Sequence, residues 1–127
     1  MNILTGKCLC ERVAFTVDGP LGRSTACHCG QCRKQSGHHW ASSSAKEADI
    51  AVTGEVTWYE ASPAAKRGFC ATCGTFLFWK AHDEDTMSFS LGVLDAPTGL
   101  SLQSHIFVAD KGDYYDIADG LPQHERS

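Results

Sequence analysis

The clearest pattern along the chain is a two-residue alternation. Between Cys10 and Asp18, Val13, Phe15 and Val17 fall at every second position, which predicts a half-buried strand ending at Gly19-Pro20. Ile50 to Tyr59 is rich in β-branched and aromatic residues but is interrupted at Gly54, so it predicts one strand, or two with a break there. Thr75 to Trp79 and Met87 to Leu91 are short apolar runs of the same kind, and Ser101 to Val108 is apolar enough for another strand. A helical period is nearly absent. Its best instance is a turn or two beginning near Cys32, running through Arg33, Lys34 and Gln35, and stopped by Gly37. The pattern predicts a mainly β fold of small antiparallel sheets with few short helical turns.

A chain of 127 residues is long enough to bury a core without disulfides, and predicts one domain over 1–127 with a frayed tail at 123–127. The segment Met1 to Lys7 lacks a basic stretch followed by an apolar one, and no apolar run approaches the length of a membrane span. A soluble, cytoplasmic protein with no membrane partner is expected. Eleven Lys and Arg against fifteen Asp and Glu leave a net charge of −4. The basic residues gather only in short pairs such as Arg33-Lys34 and Lys66-Arg67, so nucleic acid, whose binding needs many phosphates neutralised, is not an expected partner.

The cysteines change the picture most. All seven fall into three clusters, Cys8-x-Cys10, Cys27-x-Cys29-x-x-Cys32 and Cys70-x-x-Cys73. An odd number without an export signal fits metal or redox chemistry better than a disulfide framework. Cys70-Ala-Thr-Cys73-Gly74 has the form of a zinc knuckle, in which a tight turn brings two thiolates to one ion and the following Gly supplies positive φ. Cys8 and Cys10 lie on the same side of an extended chain and can complete a four-thiolate site. The opposing reading is that Cys8 and Cys10 are ordinary small core residues.

Cys27, Cys29 and Cys32 place three thiolates within six residues and leave no fourth cysteine. Three protein ligands and one exchangeable position are the mark of a zinc site where chemistry occurs. The trio around a divalent ion carries a net charge of −1, which Arg33, Lys34 and the start of the short helix are placed to offset. Three readings of the cluster stay open: an open site, a site closed by His28, His38 or His39, and a disulfide with one free thiol acting as a redox sensor. On an extended segment the His28 ring points away from its two neighbours, which makes it the weakest of the three histidines as a ligand.

The remaining candidates have ordinary readings. Trp40, Trp58, Trp79 and Phe69, Phe76, Phe78, Phe89 and Phe107 are expected in the core or in pocket walls. His105, inside an apolar run, is expected to be a hydrogen-bonded core histidine rather than a ligand. His82 to Asp85 reads as a solvated loop, and Asp116, Asp119 and Gly120-Leu121-Pro122 as turn chemistry in which an acid can reach a nearby pocket.

Gly6-Lys-Cys8-Leu-Cys10, Cys27-His-Cys29-Gly-Gln-Cys32-Arg-Lys-Gln-Ser-Gly37, Gly68-Phe-Cys70-Ala-Thr-Cys73-Gly-Thr75, His105-Ile-Phe-Val108 and Asp119-Gly-Leu-Pro122 together resemble the glutathione-dependent formaldehyde-activating enzyme (GFA) family, from about residue 3 to residue 122. The resemblance implies a β-tent fold pinned by two zinc ions per chain. In it Cys8, Cys10, Cys70 and Cys73 hold a structural zinc, and Cys27, Cys29 and Cys32 an open, catalytic one. It implies a carbon–sulfur lyase joining glutathione to formaldehyde as S-hydroxymethylglutathione, or acting on a related thiol and aldehyde. His38 and His39 are the candidate proton donors. The domain also occurs in non-catalytic, zinc-stabilised binding modules, which is the alternative function. In this chain Glu11 stands where the family often has Gly after the second cysteine, and the chain is shorter than the enzyme that gives the family its name.

Overall fold

A computed structural model describes residues 3–127; residues 1 and 2 of the expected domain lie outside it. Among the described residues, ten strands and one α-helix make a mainly β fold, as the alternation predicts. Strands β1 (Leu4–Lys7), β2 (Ala14–Val17) and β5 (Ile50–Thr53) form a three-stranded antiparallel sheet in the order β1-β2-β5. The other seven are β3 (Thr25–Cys27), β4 (Trp40–Lys46), β6 (Thr57–Glu60), β7 (Ala65–Phe69), β8 (Phe76–Ala81), β9 (Thr86–Ser90) and β10 (Ser104–Ile106). Their sheet has the order β10-β3-β4-β9-β8-β7-β6, antiparallel except where β10 runs parallel to β3. Gly54 breaks the second predicted strand region into β5 and β6 by turning with φ near 87°.

The alternating side chains of β2 enter the core. Val13, Phe15 and Val17 are buried, and the Phe15 ring meets Phe78 edge-on at 5.0 Å and Phe89 at 5.9 Å. That contact joins the two sheets. A second, smaller cluster contains Cys27, Cys32, Trp40 and Phe76, with the Trp40 and Phe76 rings 4.4 Å apart. It is fixed by polar bonds as well, since Trp40 Nε1 donates to Ser90 Oγ at 2.7 Å and Ser90 Oγ donates to the Phe76 carbonyl at 2.7 Å.

The helix α1 (Gly30–Ser36) starts two residues before the predicted position, with Cys29 as N-cap accepting from the Cys32 amide, and ends on Gly37 in the left-handed region. Residues 123–126 run beside β10 and the segment after it: the His105 amide donates to Pro122, His124 to His105, Val108 to His124 and Phe107 to Arg126.

Candidate metal centres

Cys8 and Cys10 follow β1, and Cys70 and Cys73 follow β7, so two strand ends converge on one point. The four Sγ atoms lie within 4.8 Å of one another, with Cys8 to Cys10 at 3.6 Å and Cys10 to Cys70 at 3.7 Å. A tetrahedron with metal–sulfur bonds of about 2.3 Å has edges of about 3.8 Å, so the donor set fits zinc. Backbone turns build the site: the Gly74 amide donates to Cys70 and the Cys70 amide to Thr75, with Gly74 at φ near 80° as the knuckle predicts. The Cys8 thiolate position is backed by the Val13 amide at 3.3 Å, and Thr75 hydrogen-bonds to Cys73, which is held at about 5 by that hydroxyl first. Glu11 turns the chain between Cys10 and β2 with φ near 67°. That is the conformation for which glycine is the cheapest residue, so the position is a backbone requirement of the structural turn.

The Sγ atoms of Cys27, Cys29 and Cys32 also lie within 4.8 Å of one another, and among the described residues no fourth His, Cys, Asp or Glu joins their group. Cys27 ends β3, Cys29 caps α1 and Cys32 is in its first turn, so strand end and helix start aim three thiols at one centre. The proximity shapes their acidity. Hydrogen bonds with Cys27 and Cys32 hold Cys29 down at about 2, whereas bonds with Cys29 and Cys32, and then burial, push Cys27 far up. Three such sulfurs share one easy ionisation, and holding all three as thiolates takes a cation at their centre.

A cation of the chain is already in contact, and sequence proximity pointed to the wrong ones. Neither Arg33 nor Lys34 donates to a sulfur of the trio; Arg67, from β7, does. Its Nη1 and Nη2 donate to Cys32 Sγ at 3.6 and 3.5 Å, Nε to Gln31 Oε1 at 3.1 Å and Nη1 to Gln35 Oε1 at 3.3 Å. Arg67 is only 4% exposed. Lys34 is exposed, and the buried Nε of Arg33 has no hydrogen-bond partner among the described residues.

The histidines gather on the other side of the Cys27–Cys29 segment. His28 is buried, its Nε2 is 2.9 Å from His105 Nδ1, and its Nδ1 meets the Tyr115 hydroxyl. His105 Nε2 is 2.8 Å from Asp119 Oδ2. A carboxylate only accepts, so His105 carries its proton on Nε2, His28 must donate from Nε2, and Tyr115 donates to His28 Nδ1. One orientation satisfies the whole chain with both imidazoles neutral. Burial first, then the neighbouring His39, His105, His38 and Lys111 charges, bring His28 down to about 4, and the His105 bond holds the Asp119 carboxyl below its ordinary value. His105 is thus the hydrogen-bonded core histidine expected, and Asp119, in the turn near the C-terminus, accepts from it. Tyr115 carried no sequence signal.

His38 is exposed and its Nδ1 is 3.0 Å from the Tyr114 hydroxyl. His39 is half-buried, 4.5 Å from His38 ring to ring, and its buried Nδ1 has no hydrogen-bond partner among the described residues. It lines a cleft of about 440 Å³ together with Gln35, Trp40 and Phe76. Trp40 and Phe76 also pack on Cys27 and Cys32, so the cleft backs onto the trio. Burial first, then the His38 and His105 charges, lower the His39 pKa and favour the neutral ring.

The two sulfur groups lie on a sequence whose family model matches residues 3–110, described as glutathione-dependent formaldehyde-activating enzyme. The chain belongs to the GFA family. A relative in Schizosaccharomyces pombe, named an uncharacterized lyase, is 25% identical over 116 residues, covering 90% of this chain and 85% of the relative. The crystal structure of a Rhodobacter sphaeroides protein superposes with a TM-score of 0.63 at 24% identity, covering 72% of this chain and 88% of the other, a likeness of fold. All seven cysteines of the two sulfur groups lie within the matched residues. Among the described residues no helix is long and apolar enough to cross a membrane.

Proposed function

We propose that residues 3–122 act as one zinc-dependent lyase domain that makes and breaks a carbon–sulfur bond between a small thiol and an aldehyde, with glutathione and formaldehyde the pair the family suggests. The observation that carries the reading is the contrast between a complete four-sulfur group and a three-sulfur group that no fourth donor joins among the described residues. The name of the Schizosaccharomyces pombe relative supports the lyase class.

Cys8, Cys10, Cys70 and Cys73 would hold one zinc ion and Cys27, Cys29 and Cys32 a second. When bound at the trio, zinc supplies Lewis acidity that favours the thiolate form of a thiol substrate. The chain's own residues do the rest. Trp40 and Phe76 form an apolar wall that limits water beside the sulfurs. His39, neutral and lining the cleft, is the ring proposed to take the S–H proton of the substrate and to return it to the oxygen that becomes the hydroxyl. In that balance the thiol sulfur gains a bond to the aldehyde carbon, the carbonyl π pair moves to oxygen, and one proton passes from sulfur to oxygen. His38, exposed and with its ring 4.5 Å from that of His39, connects that ring to solvent.

The test is exchange NMR of glutathione with labelled formaldehyde. The zinc-loaded protein should speed adduct formation above the uncatalysed rate, Cys29→Ser should abolish the gain with the fold intact, and His39→Gln should reduce it by about 10²-fold or more. No acceleration with any small thiol would sink the reading.

A further inference from the structure

Arg67 is a buried cation whose partners are two neutral glutamines and one sulfur. Among the described residues no carboxylate lies within salt-bridge distance of it. A guanidinium taken out of water needs a compensating anion, and the Cys32 thiolate is the one in contact. Gln31 and Gln35, both on α1, grip the guanidinium at Nε and Nη1, and the Phe76 ring lies 5.5 Å beneath it. The side chain therefore has one orientation, with both Nη groups on Cys32 Sγ.

Two consequences act in the same direction. Three thiolates and a divalent ion sum to −1, and Arg67 brings the assembly to zero, so an incoming thiolate raises the charge to −1 rather than to −2. Hydrogen bonds from both Nη groups also draw electron density from the Cys32 sulfur, which increases the ion's demand for a further anionic donor. Lys34 cannot substitute, because its charge is exposed and screened.

We propose that Arg67, held by Gln31 and Gln35 on the Cys32 sulfur, is the specificity-determining residue that makes the open position of the trio prefer an anionic sulfur over a neutral ligand. The inference rests on the open-site reading above. It assigns to a β7 residue the choice of donor that α1 cations cannot make.

The experiment uses the full chain with Co²⁺ at both sites and reads the sulfur-to-cobalt charge-transfer bands during titration with glutathione and, separately, with imidazole. Arg67→Gln should weaken glutathione binding about tenfold or more while leaving imidazole binding unchanged, and Arg67→Lys should recover part of the loss. Should Arg67→Gln fail to fold, Gln35→Leu keeps the buried cation but loosens its aim, and glutathione binding should fall several-fold with imidazole again unaffected. Equal glutathione affinity in wild type and variants, or a parallel fall for both ligands, would overturn the role of Arg67. Wild-type protein that binds glutathione with this preference but does not speed adduct formation leaves the Arg67 role standing and refutes the lyase reading; wild-type protein that binds no thiol refutes both.

Discussion

Chelation should strip the two metal centres in two separable steps, only the second of which unfolds the chain. The four-sulfur site joins Cys10 to Cys70, 60 residues apart, and closes the ends of β1 and β7 onto one point. The three-sulfur site closes a segment of only six residues between a strand end and a helix start. Loop-closure entropy grows with the logarithm of length, so the tenfold difference in span alone makes the first crosslink worth about 2 kcal/mol more. Structural zinc contributes about 10 to 16 kcal/mol to folding, which is comparable to the whole of the roughly 5 to 15 kcal/mol by which small domains are stable. Without that ion the chain should unfold. The trio is different, because β3 stays paired to β4 and β10, and Trp40 and Phe76 still pack around Cys27 and Cys32. A chelator titration followed at once by a zinc indicator and by far-UV circular dichroism should show two zinc ions per chain. One should leave with the spectrum unchanged, and the other with cooperative loss of β signal. Release of both ions in one unfolding step, or a folded spectrum after both are gone, would refute the division into a structural and an open site.

Two further outcomes follow from single residues. Glu11→Gly should raise stability by about 1 kcal/mol in denaturant unfolding of the zinc-loaded protein, because Glu11 holds φ near 67°, where a side chain costs about that much; Glu11→Ala should give no such gain. Acidification should weaken the fold through His28: its folded value of about 4 lies below the ordinary 6.5, so its contribution is complete above pH 6.5 and is lost as pH falls through 4. The loss is at most about 3 kcal/mol, and with zinc in excess His28→Gln should flatten the pH dependence between 6.5 and 4 relative to wild type.

Which sulfurs share a centre was legible because it is a local property. The x-spacing within Cys8-x-Cys10, the knuckle turn at Gly74 and the three thiols across a strand-to-helix junction are all decided within a few residues, and the structure brings the same seven sulfurs into the same two groups. The strands that were visible, β2, β5, β6, β8, β9 and β10, are those built from branched or aromatic residues. β4 was not, because Trp-Ala-Ser-Ser-Ser-Ala-Lys buries its faces with small hydroxyls, and Ser42 and Ser43 are as buried as the aliphatic residues around them. The charge that completes the open site was hidden for another reason. Arg33 and Lys34 adjoin Cys32 in sequence but leave it on the helix, whereas Arg67, 35 residues away, is carried there by the pairing of β7 with β8. A signal did exist in Ala65-Lys-Arg67-Gly-Phe69, where alternation puts Arg67 on the face of Ala65 and Phe69. A cation at a core-facing strand position, with no acid nearby in sequence, implies an anion arriving from elsewhere in the fold. Here β7 delivers that cation to one sulfur group three residues before it delivers Cys70 to the other, so the same strand end helps to build both centres.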